Sequence, residues 1–406
     1  YVGLVTGACL SSWGNSVTLI DIDSGRVEAL KAGLCPIYEP RLQELLSCDH
    51  ITPTCSLEQA AGGDVVFICV GAGTNPRDCS VDLSAVEQVA VGLERVVRGG
   101  QTVVVKSTVP PGTSEDVILR HLERNGKHAG RDFELCMNPE FLSEGRAVED
   151  FMAPDRIVIG ERVRGSGDRL VELYRPSRAP VIRVDLKTAE MIKYASNAFL
   201  AAKISLVNEL GNICKSLGID MYRVAEAMAY DDRIGSKFLN SGAGFGGSCF
   251  PKDLRALISI ARQSGYVPGL LKAVEEVNQA QPLRLVQLLK RHVPDLRGKT
   301  IGVLGLAFKP GTDDVRESVA QKVVAQLLLE GARVVAYDPQ AGANFRRLFP
   351  QVTYAGPEEV LQGDAIVILT EWPEFGELDY RGRIVIDGRK VPKARDEARI
   401  YEGLCW

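Results

Sequence analysis

Two kinds of pattern alternate along the chain. Short unbroken apolar runs are separated by stretches in which apolar residues recur every three or four positions. Ser16–Asp21 reads as a strand ending in an acid, Asp64–Val70 and Thr102–Val105 as buried strands, and Phe133–Cys136 and Arg156–Ile159 as shorter candidates. Continuous Val/Ile runs between helical patterns predict a parallel sheet covered on both faces, a doubly wound α/β arrangement. From Lys187 the pattern turns helical and continues through Glu209 without Gly or Pro, which predicts a helix long enough to link domains or subunits. A further helical stretch is expected from Leu254 to about Lys290. After Val293–Lys299, Thr300–Leu306, Arg333–Asp338, Ala365–Leu369 and Arg383–Asp387 read as strands of a second α/β unit. The expected organisation is residues 1–186, a helical middle at 187–292, and residues 293–406.

Composition narrows the function class. The chain has 406 residues, 45% hydrophobic and 25% charged, with a net charge of −4. Nothing there favours nucleic acid or an acidic membrane as partner. No apolar run reaches the ~18 residues that span a bilayer, and no signal peptide is visible. The ten cysteines are scattered without a Cys-x-x-Cys pair, and His50, His121, His128 and His292 do not cluster with them. A disulfide scaffold and a metal site are both disfavoured, and a reduced, cytoplasmic enzyme is expected.

Cys249 is the most conspicuous chemical candidate. It follows the run Gly242-Ala243-Gly244-Phe245-Gly246-Gly247-Ser248 and precedes Pro251, a residue suited to the first turn of a helix. Free backbone N–H groups and the positive helix end favour thiolate, the nucleophilic form. The competing reading is a buried cysteine acting as a small hydrophobe. Lys193 and Asn197 share a helix face at a spacing of four and could hold an oxyanion or an ordered water. Asp253 is placed to accept protons, or to answer the helix dipole. Gly3, followed by a helical pattern and a strand ending at Asp21, looks like the back half of a dinucleotide-binding unit. Asp21 would bond the adenosine ribose, with Arg26 close behind. A strand-end turn is the alternative for Asp21.

Longer motifs carry a resemblance. Pro36-Ile37-Tyr38-Glu39-Pro40, Lys106–Thr113, Asn138–Gly145, Gly244–Asp253 and Ala307–Ser318 stand in the order found in the nucleotide-sugar dehydrogenases. The chain resembles this family from Tyr1 to at least Asp387. The resemblance implies two Rossmann-like doubly wound domains, the first binding NAD and the last a UDP-sugar, joined by a helical central domain. It also implies a four-electron oxidation of a primary alcohol to a carboxylate, with two NAD+ reduced in turn. Cys249 would carry the aldehyde as a thiohemiacetal and then as a thioester that water hydrolyses. An aldehyde alone lacks the tetrahedral C–H that a second hydride transfer needs.

By resemblance, Lys193, Asn197, Asp253, Thr108 and Glu140 serve the chemistry, with Thr108 holding water near the nicotinamide and Glu140 linked to hydrolysis. Glu144 and Arg316 lie near the cofactor. Phe141, Leu142, Lys237, Phe245, Gly246 and Lys309 contact the substrate. Arg233 reaches a neighbouring subunit's site, which makes a homodimer the working unit. Read without the family, Glu140 and Glu144 are ordinary helix-start acids, Lys193 a solvated lysine and Arg233 a surface arginine. The loop spelling Gly-Phe-Gly-Gly-Ser-Cys favours UDP-glucose over GDP-mannose or a UDP-N-acetylhexosamine. A single-hydride 2-hydroxyacid dehydrogenase and a non-catalytic nucleotide-binding scaffold are the alternatives from other classes; Cys249 argues against the first.

Three departures from the family pattern stand out. Val70-Gly71-Ala72-Gly73-Thr74-Asn75-Pro76 replaces Val-Gly-Thr-Pro, Ser241-Gly242 replaces Pro-Gly, and no strand with Gly-x-Gly precedes Gly3. That segment is expected to lie ahead of Tyr1. A chain beginning at Tyr1 would lack the pyrophosphate loop and bind NAD poorly.

Overall fold

The computed structural model describes residues 1–47, 50–75 and 77–406. It divides into two units, Tyr1–Ser196 and Asn197–Trp406.

In the first unit, strands Val65–Ile68, Thr102–Val105, Glu134–Met137, Ile157–Glu161 and Val181–Asp185 form a five-stranded sheet in that order. Alternate side chains of a strand face opposite sides. Val103 and Val105 therefore pack with Val86, Ala90, Leu93 and Leu122 on one face. Val104 packs with Val5, Ala8, Val148 and Phe151 on the other. Val17–Ile20 pairs in parallel with Ile51–Thr54 in a separate two-stranded sheet.

The expectation of a wholly parallel sheet needs correction. Glu134–Met137 and Ile157–Glu161 run antiparallel, with Met137 opposite Gly160. The connection between them carries one helix, Ala147–Met152, of six residues; the next connection, with a helix of the same length, Asp168–Leu173, joins parallel strands, so helix length does not decide the direction. Ile51–Thr54, with Pro53 inside it, and the edge strand Val181–Asp185 were not anticipated. Gly73–Thr74 pairs with Val81–Asp82 in a short hairpin, so Thr74 of the departing segment is an exposed hairpin residue; Pro76 lies outside the described residues.

The long helix is Leu186–Ser216, 31 residues. Asp185, ending the preceding strand, accepts from the Thr188 N–H at 2.8 Å and caps it.

The second unit carries a six-stranded parallel sheet in the order Thr353–Tyr354, Arg333–Tyr337, Thr300–Leu304, Ala365–Ile368, Ile384–Asp387, Ile400–Gly403. Numbered along the chain this is 3-2-1-4-5-6, the dinucleotide-fold order. The stretch expected as helical from Leu254 to Lys290 is two helices, Phe250–Gln263 and Gly269–His292. Gly265, at φ 84°, ends the first. Its N–H bonds to Arg262 and that of Tyr266 to Ala261, the αL cap that a residue without Cβ adopts easily.

Candidate active site

In the first unit, the loop after Met137 carries Asn138, Glu140 and Phe141. Glu140 is buried, and its Oε1 accepts from Lys193 Nζ of the long helix at 2.7 Å. Its Oε2 accepts from the Leu142 N–H at 2.6 Å. Burial pushes the carboxyl up, but Lys193, the Leu142 N–H and Lys106 together outweigh it and hold Glu140 below the usual carboxylate range. The Phe141 ring lies 4.0 Å from the Arg156 guanidinium and 5.7 Å from Lys193 Nζ. Neither Glu140 nor Glu144 starts a helix, since the next one begins at Ala147. Thr108 stands in the loop after Thr102–Val105. Ser107 Oγ fastens this loop to the Val70 carbonyl at 2.6 Å. Buried Glu190 accepts from the Gly112 and Ser114 N–H groups.

Three of the cofactor candidates, Gly3, Asp21 and Arg26, lie on the first helix and just after the strand that follows it. Gly3 lies on helix Val2–Ser12, where a Cβ would meet the Cys69 Cβ at 3.0 Å. That is the close helix-to-strand approach which the last glycine of a dinucleotide fingerprint permits. Asp21 follows Val17–Ile20 with its side chain 38% exposed, facing Arg26 Nη1 at 3.4 Å. The carboxylate is thus partly open at the strand's carboxyl end.

In the second unit, Cys249 is the N-cap of helix Phe250–Gln263, with Pro251 in its first turn. The setting expected from sequence is therefore present. Ser248 Oγ lies 3.5 Å from the sulfur. Asp253 is almost fully buried in that first turn. Its Oδ2 accepts from Asn197 Nδ2 and its Oδ1 from Lys252 Nζ, both at 2.6 Å. The solvated reading thus fails for Lys193, which is buried and paired with Glu140; Asp253 is buried and paired as well, in the first turn where a carboxylate also answers the helix dipole.

The glycine run ahead of Cys249 is held through its backbone. The Asn278 side chain accepts from the Phe245 N–H at 2.8 Å and donates to its carbonyl at 3.0 Å. Asn208 accepts from the Gly242 N–H, and Gln281 donates to the Gly242 carbonyl. A Cβ on Gly246 would stand 2.3 Å from the Glu317 carbonyl oxygen, so no side chain fits. Phe245 packs edge-on against Phe250 at 5.9 Å. Lys309 Nζ sits 5.6 Å from the Phe308 ring centroid, and Arg316 pairs with Asp314 at 2.6 Å. Arg233 is exposed and paired with Asp231, and Lys237 is exposed.

Sequence reading missed several supports. Glu39, within the Pro-Ile-Tyr-Glu-Pro motif, accepts from the N–H groups of Gly145 and Ala147 at 2.7 and 2.8 Å, fixing the turn that follows Glu144. Arg389 donates to the Leu369 carbonyl at 2.7 Å and approaches the Gly244 carbonyl at 3.4 Å. An acid between two prolines, and amides three apart at Asn278 and Gln281, were the available signals. Among the described residues no helix is long and apolar enough to cross a membrane, and no group of three or more His, Cys, Asp or Glu could hold a metal ion.

Three family models match the chain: the NAD binding domain of the UDP-glucose/GDP-mannose dehydrogenase family at residues 1–178, its central domain at 187–280, and its UDP binding domain at 302–394. A UDP-glucose 6-dehydrogenase of Haloferax volcanii is 44% identical, covering 100% of this chain and 98% of the relative. One from Pseudomonas aeruginosa is 40% identical, covering 100% and 95%. Among solved structures, a UDP-glucose dehydrogenase from Pyrobaculum islandicum superposes with a TM-score of 0.94 at 45% identity, covering 100% of this chain and 96% of that one. A UDP-D-ManNAc dehydrogenase from Pyrococcus horikoshii gives 0.86 at 29%, covering 100% and 97%. The chain belongs to the UDP-glucose/GDP-mannose dehydrogenase family.

Proposed function

We propose that the protein oxidises UDP-glucose to UDP-glucuronate, with Cys249 as the covalent carrier between two oxidations. The observation that carries this reading is the thiol at the N-cap of Phe250–Gln263, with buried Asp253 in the same first turn. NAD supplies the hydride acceptor for each oxidation, with Gly3, Asp21, Arg26, Glu144 and Arg316 as its contacts.

Asp253, oriented by Asn197 and Lys252, takes the proton of the substrate hydroxyl directly or through water. The Cys249 thiolate then adds to the aldehyde carbon, and the carbonyl oxygen takes up negative charge. Lys193 and Asn197, four apart on one helix, stabilise that oxygen. The carbon is now tetrahedral and bears the C–H that the second oxidation removes, leaving a thioester. Water, held by Thr108 and activated near Glu140, attacks the thioester carbon. The C–S bond breaks and the thiolate is regenerated. Phe141, Leu142, Lys237, Phe245, Gly246 and Lys309 hold the UDP-sugar.

In this reading residues 1–186 bind NAD, 187–292 form the central domain and 293–406 take the UDP-sugar. A homodimer is the working form, with Arg233 reaching the partner's site. Phe199, Leu206 and Ile213 support it: all are exposed apolar residues at seven-residue spacing on the long helix. The cysteines that are described are free, which suits the cytoplasm.

Initial rates with UDP-glucose, GDP-mannose and UDP-N-acetylmannosamine test the substrate. UDP-glucose should exceed the others in kcat/KM by about 100-fold or more; a faster alternative sugar would overturn the assignment. Cys249→Ser should abolish glucuronate formation, and unchanged turnover would remove the thiol from the mechanism.

A further inference from the structure

Lys106 is a buried cation that the reaction scheme above does not use. It directly follows strand Thr102–Val105 and is 4% exposed. Its Nζ donates to Asn138 Oδ1 at 2.9 Å and lies 3.2 Å from the Tyr174 hydroxyl. Tyr174 in turn donates to Asn138 Oδ1 at 2.7 Å, and Asn138 Nδ2 donates to the Val158 carbonyl at 2.8 Å. The three side chains form a closed triangle without a carboxylate. Burying an ammonium on neutral partners costs stability, so packing alone does not account for a lysine here.

The groups facing it define its use. Cys69 lies to one side, its thiol pushed up to about 11 by burial and therefore neutral. Tyr174 is likewise raised by burial and neutral. Glu140 and Lys193 are the remaining charged neighbours acting on Lys106. Glu140 is two residues beyond Asn138, the side chain that Lys106 grips.

We propose that Lys106 is a positioning residue for thioester hydrolysis: through Asn138 it fixes the turn that carries Glu140, and it stands as a second cation behind the Glu140–Lys193 pair. Burial lowers Lys106 to about 8, so the charge is present at neutral pH. It adds to Lys193 in keeping Glu140 ionised. The proposal rests on the reading that Glu140 serves hydrolysis, so its test includes that residue separately.

The test compares Lys106→Met, Lys106→Gln and Glu140→Gln in the full-length enzyme from pH 9 down to the acid limit of folding, below about pH 4.3. The readouts are kcat, KM for UDP-glucose, melting temperature, and acyl-Cys249 trapped by acid quench and read by intact-protein mass. Removing the cation should move the acid limb of kcat upward by about one pH unit, because Glu140 then holds its proton to higher pH. Acyl-enzyme should accumulate, KM should stay within about twofold, and the melting temperature should not fall, since a buried charge is gone. Lys106→Gln, which can still donate to Asn138, keeps the test available if the methionine variant does not fold. A kcat loss that is uniform with pH and parallels a lower melting temperature would make Lys106 merely structural. An unshifted profile beside an impaired Glu140→Gln would also overturn the proposal. If Glu140→Gln itself hydrolyses normally, the role of Glu140 fails instead.

Discussion

Asp21 and Asp338 are the same residue type at matching places in two α/β units, each directly after a strand that leads toward a helix. Asp21 is partly open and touches Arg26 and the Asp23 N–H. Asp338 is buried. Its Oδ2 accepts from the N–H groups of Leu306 and Ala307 at 2.7 and 2.9 Å and from Trp372 Nε1 at 3.0 Å. Its Oδ1 accepts from the N–H groups of Gln340 and Ala341 at 2.9 and 2.7 Å. The first acid retains capacity for a ribose. The second is consumed in building the loop that leads to Lys309. Position and residue type therefore do not decide what a strand-end acid binds; the donors around it do.

The largest expected effect comes from breaking the buried member. Asp338→Ala leaves four backbone N–H groups and an indole N–H without their acceptor, which should cost about 3–5 kcal/mol, read by urea unfolding. A cost below about 1 kcal/mol would mean that water replaces the carboxylate freely.

Glu140 extends the comparison to an acid whose main donor is a charge. Glu140→Gln leaves Lys193 buried without its counter-ion and should destabilise by about 2–4 kcal/mol at pH 7. The folded carboxyl is held below its ordinary value. Its stabilisation is therefore complete above the unfolded pKa of about 4.3 and is lost as pH falls through the lower folded value. The difference between parent and variant should shrink in that acid window; a gap that persists there would contradict an ionised Glu140.

Asp21→Ala should raise KM for NAD about 10–100-fold, the value of a lost charged hydrogen bond, with the melting temperature nearly unchanged. An unaltered KM would return Asp21 to a turn residue. Arg26→Ala should be the mildest: its pair with Asp21 is exposed, so the stability cost should stay within about 1 kcal/mol. A larger loss in thermal melts would show that the pair braces the strand end.

The sheets and the helix-start setting of Cys249 were legible because their signals are local. Valine-rich runs such as Thr102–Val105 announce buried strands, and a thiol between a glycine run and Pro251 announces a helix N-terminus. What stayed hidden depends on distant partners. The antiparallel pairing of Met137 with Gly160 is written in neither strand's composition. Asn208, Asn278 and Gln281 look like polar helix-surface residues until the Gly242–Phe245 backbone meets them. The burial of Lys106 and Glu190 is not visible in sequence, because it is set by neighbours far along the chain. Edge strands such as Val181–Asp185, with Arg183 inside, lack the continuous apolar run that marks central ones.

The central claim is that Cys249 carries the sugar between two oxidations, and the yield of NADH for each UDP-glucose consumed tests it most directly. The account predicts two NADH and one UDP-glucuronate per sugar, with no free aldehyde. One NADH per sugar, with the aldehyde as product, would contradict it.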